Sequence, residues 1–128
     1  MRHLAACVLM AGVLVPTLVR SGEVSDQEAL KNMRDEIGRL IGDPRCVNLV
    51  HCRVLSLGSR PCGGASEYLA YSSTTGNREV LEAKAYEYTF LEEEVNRKSS
   101  TMGTCQALSE PRVACTRGHC TLVPADQR

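Results

Sequence analysis

Residues 51–72 read HCRVLSLGSRPCGGASEYLAYS, and the way this stretch is divided decides the fold. His51 to Leu57 alternates apolar and polar residues as a half-buried strand does. Glu67 to Ser72 is a second run of strand character, and Cys62-Gly63-Gly64 between them is turn material. Two short strands joined by a glycine-containing loop predict an antiparallel pair. Tyr68 and Tyr71 fall on opposite faces of the second strand, because side chains alternate along it. One ring is then exposed unless helices cover both faces.

Outward on the N-terminal side, residues 25–41 (SDQEALKNMRDEIGRLI) predict an amphipathic helix. Leu30, Met33, Ile37, Leu40 and Ile41 recur at spacings of three and four, giving one apolar stripe. Ser25 and Glu28 have capping-box spacing, and Gly42 followed by Pro44 ends the helix. On the C-terminal side, Asn77 to Lys98 predicts a second helix. Leu81, Ala85, Tyr88, Leu91 or Glu92, and Val95 step along one side. Val80, Tyr86 and Phe90 are expected to widen that stripe, so that three of the chain's five aromatic residues enter the core. Val113-Ala114-Cys115 and Cys120-Thr121-Leu122-Val123 then flank Arg117-Gly118, a two-residue turn that would set Cys115 opposite Cys120. Helix, two strands, helix, hairpin is an α+β order: two amphipathic helices packed on a small antiparallel sheet. One domain is expected over residues 23–128.

Cys46, Cys52, Cys62, Cys105, Cys115 and Cys120 all lie in that domain. They read as disulfides, which small exported domains use to supplement a limited core. Six cysteines allow fifteen pairings. Local geometry favours Cys115 with Cys120 across the hairpin, Cys62 with Cys105 around the second helix, and Cys46 with Cys52 in a short loop. The competing reading is a metal site, because His51-Cys52 and His119-Cys120 bring thiols and imidazoles together as zinc ligands do. Against it stand the absence of a Cys-x2-Cys knuckle and an oxidising destination.

That destination is read from the N-terminus. Residues 4–19 (LAACVLMAGVLVPTLV) carry no charge and follow Arg2 and His3, so residues 1–22 predict a signal peptide and a periplasmic or secreted protein. Leu4-Ala5-Ala6-Cys7 looks like a lipidation box, but it precedes the apolar run instead of following it. The whole chain has formal net charge zero, with 23% charged and 43% hydrophobic residues. Such a composition argues against nucleic-acid binding, and no membrane association is expected beyond the signal segment.

Sequence patterns for chemistry are sparse. His51 and His119 each sit beside a cysteine expected to be bridged, which has no nucleophilic thiolate to offer. There is no Gly-x-Ser-x-Gly elbow. Glu92-Glu93-Glu94 would fan over about 200° of a helix, which reads as a solvated face with Glu93 paired to Arg97. Cys62-Gly63-Gly64 lacks the pattern of a phosphate loop. No catalytic residue and no cofactor are assigned. Tyr68, Tyr71, Arg117 and His119 are the candidate binding surface, and His51, Cys52, His119 and Cys120 the alternative metal set.

Cys46-x5-Cys52-Arg53, Cys62-Gly63-Gly64 with Tyr68 and Tyr71-Ser72, and the closing Cys105, Pro111, Cys115, Gly118 and Cys120 resemble small secreted cysteine-rich proteins of uncharacterised function from Gram-negative bacteria. The resemblance covers roughly residues 43–124. It implies a periplasmic or membrane-attached domain with paired cysteines, and brings no activity or ligand with it. The expected function is non-enzymatic: an exported, envelope-associated binding domain whose partner is another envelope protein, or a hydrolase that it inhibits.

Overall fold

The structure, a computed structural model, describes residues 25–99 and 105–126. The expected signal peptide lies outside them. Helix α1 spans Asp26–Ile41, strand β1 Cys52–Leu57, β2 Glu67–Ser72, helix α2 Arg78–Ser99, β3 Arg112–Thr116 and β4 His119–Val123. A single 3-10 turn, Leu49–His51, leads into β1. Local signals set these limits. Ser25 Oγ accepts the Glu28 N–H at 3.2 Å to cap α1, and Asn77 Oδ1 accepts the Val80 N–H at 3.3 Å to cap α2. Gly42, at φ 56°, takes a positive-φ backbone conformation that suits glycine and ends α1.

The four strands form two separate two-stranded antiparallel ribbons, β1–β2 and β3–β4. Their registers run from Cys52 opposite Ser72 to Leu57 opposite Glu67, and from Arg112 opposite Val123 to Thr116 opposite His119. The β1–β2 ribbon is the middle layer. One face carries Leu55, Leu57 and Tyr71, which pack with Ile37 of α1 and with Leu81 and Ala85 of α2. On the other face, Cys52 and Ala70 pack with Cys120, Val113 and Cys115 of the β3–β4 hairpin. Both faces are therefore covered, by helices on one side and by the hairpin on the other.

This layering places the tyrosines. Tyr71 is 4% exposed, and its hydroxyl donates to Glu82 Oε1 at 3.1 Å. Tyr68 is half-buried. Tyr71 therefore belongs to the core and not to a binding surface, because α2 closes over its side of the ribbon.

The second helix departs from expectation in one respect. Its inward face is the expected one, with Leu81 and Ala85 buried and Tyr88 packed beside them. Tyr86 (74% exposed), Phe90 (58%) and Val80 (41%) do not widen that face but lie outside it. Helical geometry turns residues 86 and 90 by 100° or more from residues 81, 85 and 88, and no element among the described residues covers them.

Burial first, then the hydrogen bond to Glu82 and that residue's charge, raises the Tyr71 hydroxyl above its ordinary value of 10. Burial and the charge of Glu92 do the same for Tyr88. A tyrosine whose folded value is raised holds its stabilisation below pH about 10, the unfolded value, and loses it as the pH climbs through the folded value. Thermal melts between pH 9 and 11 should therefore show stability falling. In Tyr71→Phe the fall should be shallower, from a neutral-pH starting point lowered by about 1 kcal/mol for the lost hydrogen bond. An unchanged slope would refute the assignment.

Candidate functional site

The disulfides tie the layers together. Cys46 bonds Cys115, Cys52 bonds Cys120, and Cys62 bonds Cys105. The last is the pairing expected from sequence; the first two replace Cys46 with Cys52 and Cys115 with Cys120. Cys115 and Cys120 do face each other across the hairpin in the expected register. Residues opposite one another in an antiparallel pair share a face, however, and this face is turned toward Cys46 and Cys52. Two neighbouring bonds then run from the hairpin to the segment ahead of β1.

That segment forms an apolar knuckle. Between Cys46 and Cys52 stand Val47, Asn48, Leu49, Val50 and His51. Asn48 Oδ1 accepts the Val50 N–H at 3.0 Å and starts the 3-10 turn. His51 Nδ1 accepts the Val47 N–H at 3.2 Å, closing the knuckle from its other end. These bonds hold the loop in a shape that leaves Val47 87%, Leu49 56% and Val50 66% exposed.

Beside the knuckle lies an open groove of about 460 Å³ lined by Arg45, Cys46, Val47, His51, Thr74 and Gly118. Its far wall is the hairpin tip. Arg117 and Gly118 have φ of 52° and 81°, the left-handed pair that a tight hairpin turn requires. Arginine is an uncommon occupant of that conformation, which costs a side chain roughly 1–2 kcal/mol. The tip is pinned to the knuckle: Gly118 O accepts the Cys46 N–H at 2.9 Å, and Pro44 O accepts the Cys120 N–H at 2.8 Å.

Charges border this surface unevenly. Asp43 holds Arg45 Nε at 2.8 Å and His119 Nε2 at 3.0 Å, while His119 Nδ1 lies 3.1 Å from Arg117 O. Arg53 Nη1 donates to Val50 O at 2.7 Å and Cys52 O at 2.8 Å, bracing the knuckle from below. Arg45 lines the groove and Arg53 contacts the knuckle backbone, Arg117 stands in the hairpin turn next to Gly118, and Asp43 pairs with Arg45 and His119.

Of the residues singled out in the sequence, Arg117 and His119 stand at this surface and Tyr71 does not. The alternative metal set is not assembled in the oxidised chain. Cys52 and Cys120 are bonded to each other, and a bonded sulfur is no thiolate donor. The sulfurs of Cys46, Cys52 and Cys120 lie within 4.8 Å of one another because the two disulfides are neighbours.

Two groups carry more than their sequence pattern suggested. Val47, Leu49 and Val50 could have been noticed as three aliphatic residues crowded between two cysteines, too few residues for a strand or a helix to bury them. Glu92 is not part of a solvated face: its Oε2 accepts the Ser59 N–H at 2.6 Å and the Ser66 hydroxyl at 2.5 Å. Arg97 pairs with Glu94 and not with Glu93.

Comparison of the chain with protein-family models, with curated proteins and with solved structures gives no match.

Proposed function

We propose that this chain is an exported, disulfide-held, non-enzymatic domain that works by binding another protein through the Val47–Val50 knuckle and the adjoining groove. The observation that carries the reading is the exposure of Val47, Leu49 and Val50 on a loop whose two flanking cysteines are both bonded to the hairpin. Clustered exposed aliphatic side chains mark interaction surfaces, and a loop held in one shape loses little entropy on binding. The partner would offer an apolar recess with acidic borders to Arg45, Arg53 and Arg117. An envelope protein fits, including a hydrolase that the knuckle would block.

Three disulfides suit an oxidising compartment. Together with the apolar residues 4–19, they support a periplasmic or secreted location and membership of the small six-cysteine secreted proteins that the sequence resembles. Among the described residues no helix is long and apolar enough to cross a membrane.

The test is capture from envelope fractions with three baits: the native chain, the Val47→Asp/Leu49→Asp/Val50→Asp variant, and Leu108→Asp, which changes an exposed leucine elsewhere. A species retained by the native chain and by Leu108→Asp, but reduced about tenfold or more on the triple variant, is the expected result. Equal capture by all three would remove the knuckle from the binding surface.

A further inference from the structure

Helix α2 is 22 residues long and fully buries only Leu81 and Ala85. Its outer side carries Glu79, Ala83, Tyr86, Phe90, Glu93 and Arg97, spaced four, three, four, three and four apart, and all six are exposed. This is the alternation that places residues along one seam between two helices. Its middle is aromatic, and its ends carry opposite charge. Within the described chain nothing lies on it.

We infer that this seam joins two copies of the chain as an antiparallel, two-fold symmetric helix pair. With the axis crossing α2 at the level of residue 88, Tyr86 of one copy meets Phe90 of the other, twice. Glu79 meets Arg97 at both ends, and Ala83 leaves room for the aliphatic stem of Glu93. A parallel pairing would instead set Glu79, Glu93 and Arg97 each against its own copy. The charges therefore select the antiparallel register, and a two-fold axis requires such self-complementarity.

Glu87 would approach its own copy beside the axis. Its carboxylate is held by Lys84 at 3.1 Å, which offsets the repulsion. Arg97 is paired in the single chain with Glu94 three residues earlier, an exposed contact that a second acceptor from the other copy can share. The knuckle plays no part in this surface, so the pairing stands or falls independently of the proposed binding role.

One helix seam is a small interface, so dissociation in the micromolar range or weaker is expected. Sedimentation equilibrium of the purified, oxidised protein from about 10 µM to about 1 mM should show a monomer–dimer equilibrium. Tyr86→Glu/Phe90→Glu should weaken it about tenfold or more, since buried aromatic anchors dominate such contacts. Glu79→Arg alone and Arg97→Glu alone should each weaken it roughly fivefold, and the two together should restore it, since the swap rebuilds both charge pairs. Circular dichroism checks that each variant keeps its helices. A monomer throughout the range overturns the proposal, and so does a dimer indifferent to the aromatic changes. Failure of the double charge swap to restore association overturns the antiparallel register.

Discussion

Removing both bridges between the hairpin and the β1 side, with Cys46, Cys52, Cys115 and Cys120 all changed to alanine, should leave the chain unfolded at 25 °C. Removing either bridge alone should not. The bonds span 69 and 68 residues of sequence, and each alone would close a loop worth about 4 kcal/mol of denatured-state entropy. They join the same two segments, however. Once one is closed, the other encloses little more than the short stretches from Cys46 to Cys52 and from Cys115 to Cys120. Its added contribution falls to about 3 kcal/mol, the value for a loop of a dozen or so residues.

Cys46→Ala/Cys115→Ala and Cys52→Ala/Cys120→Ala should therefore each lower stability by about 3 kcal/mol, and the fourfold variant by about 7. Against a typical total of about 5–15 kcal/mol, the second figure decides whether the domain folds. Urea unfolding followed by circular dichroism supplies the three numbers. A fourfold loss no larger than the sum of the two paired losses would show that the bridges do not share a closure.

Gly58→Ala should cost about 3 kcal/mol, far more than the same change at Gly63. Both glycines have positive φ, 79° and 93°, so each carries the backbone penalty of about 1–2 kcal/mol for a side chain in that region. Only Gly58 is also hemmed in. A Cβ there would overlap Glu92 Oε2 and come within 2.8 Å of Ser66 Cβ, whereas nothing lies within 4 Å of one on Gly63.

The crowding arises because α2 grips the loop after β1 at several points. Thr89 Oγ1 accepts the Gly58 N–H at 3.0 Å, Glu92 takes the Ser59 N–H and the Ser66 hydroxyl, and Asn96 Nδ2 donates to Ser59 O at 2.5 Å. Displacing the Glu92 carboxylate loses charge-assisted hydrogen bonds, worth about 2 kcal/mol together in this half-buried setting. Glu92→Ala should cost about that amount, and Gly58→Ala should then cost less in the Glu92→Ala background, since the closest of its clashes has gone and only the Ser66 contact remains. Additive losses would place the strain in the backbone and the Ser66 contact, not at Glu92.

Much of the local structure was legible in the residue order. The Ser25 and Asn77 caps, the apolar period of α1, the limits of β2 and the Arg117-Gly118 turn all depend on groups a few residues apart, and the helices and strands stand where those signals put them. Cys62 with Cys105 was also legible, because the helix between them sets where the ends lie. The candidate site was less so. Arg117 and His119 were singled out beside the Arg117-Gly118 turn and stand at the candidate surface, but Val47, Leu49 and Val50 were passed over, since an apolar residue carries no sign of being left uncovered.

By itself, then, the sequence determined the secondary elements, the α+β order and a cross-linked frame, because hydrogen-bonded caps, turn conformations and side-chain periods are decided by near neighbours. Tertiary structure alone decided how Cys46, Cys52, Cys115 and Cys120 pair. Cys115 and Cys120 face each other in the hairpin, yet each finds its partner in the layer that packs on their common face. The same layering buried Tyr71 under α2, left Tyr86 and Phe90 outside, and turned Glu92 from a surface charge into a clamp on the loop after β1. Each outcome depends on which surfaces meet across the fold, and residues far apart in the chain carry no local record of that meeting.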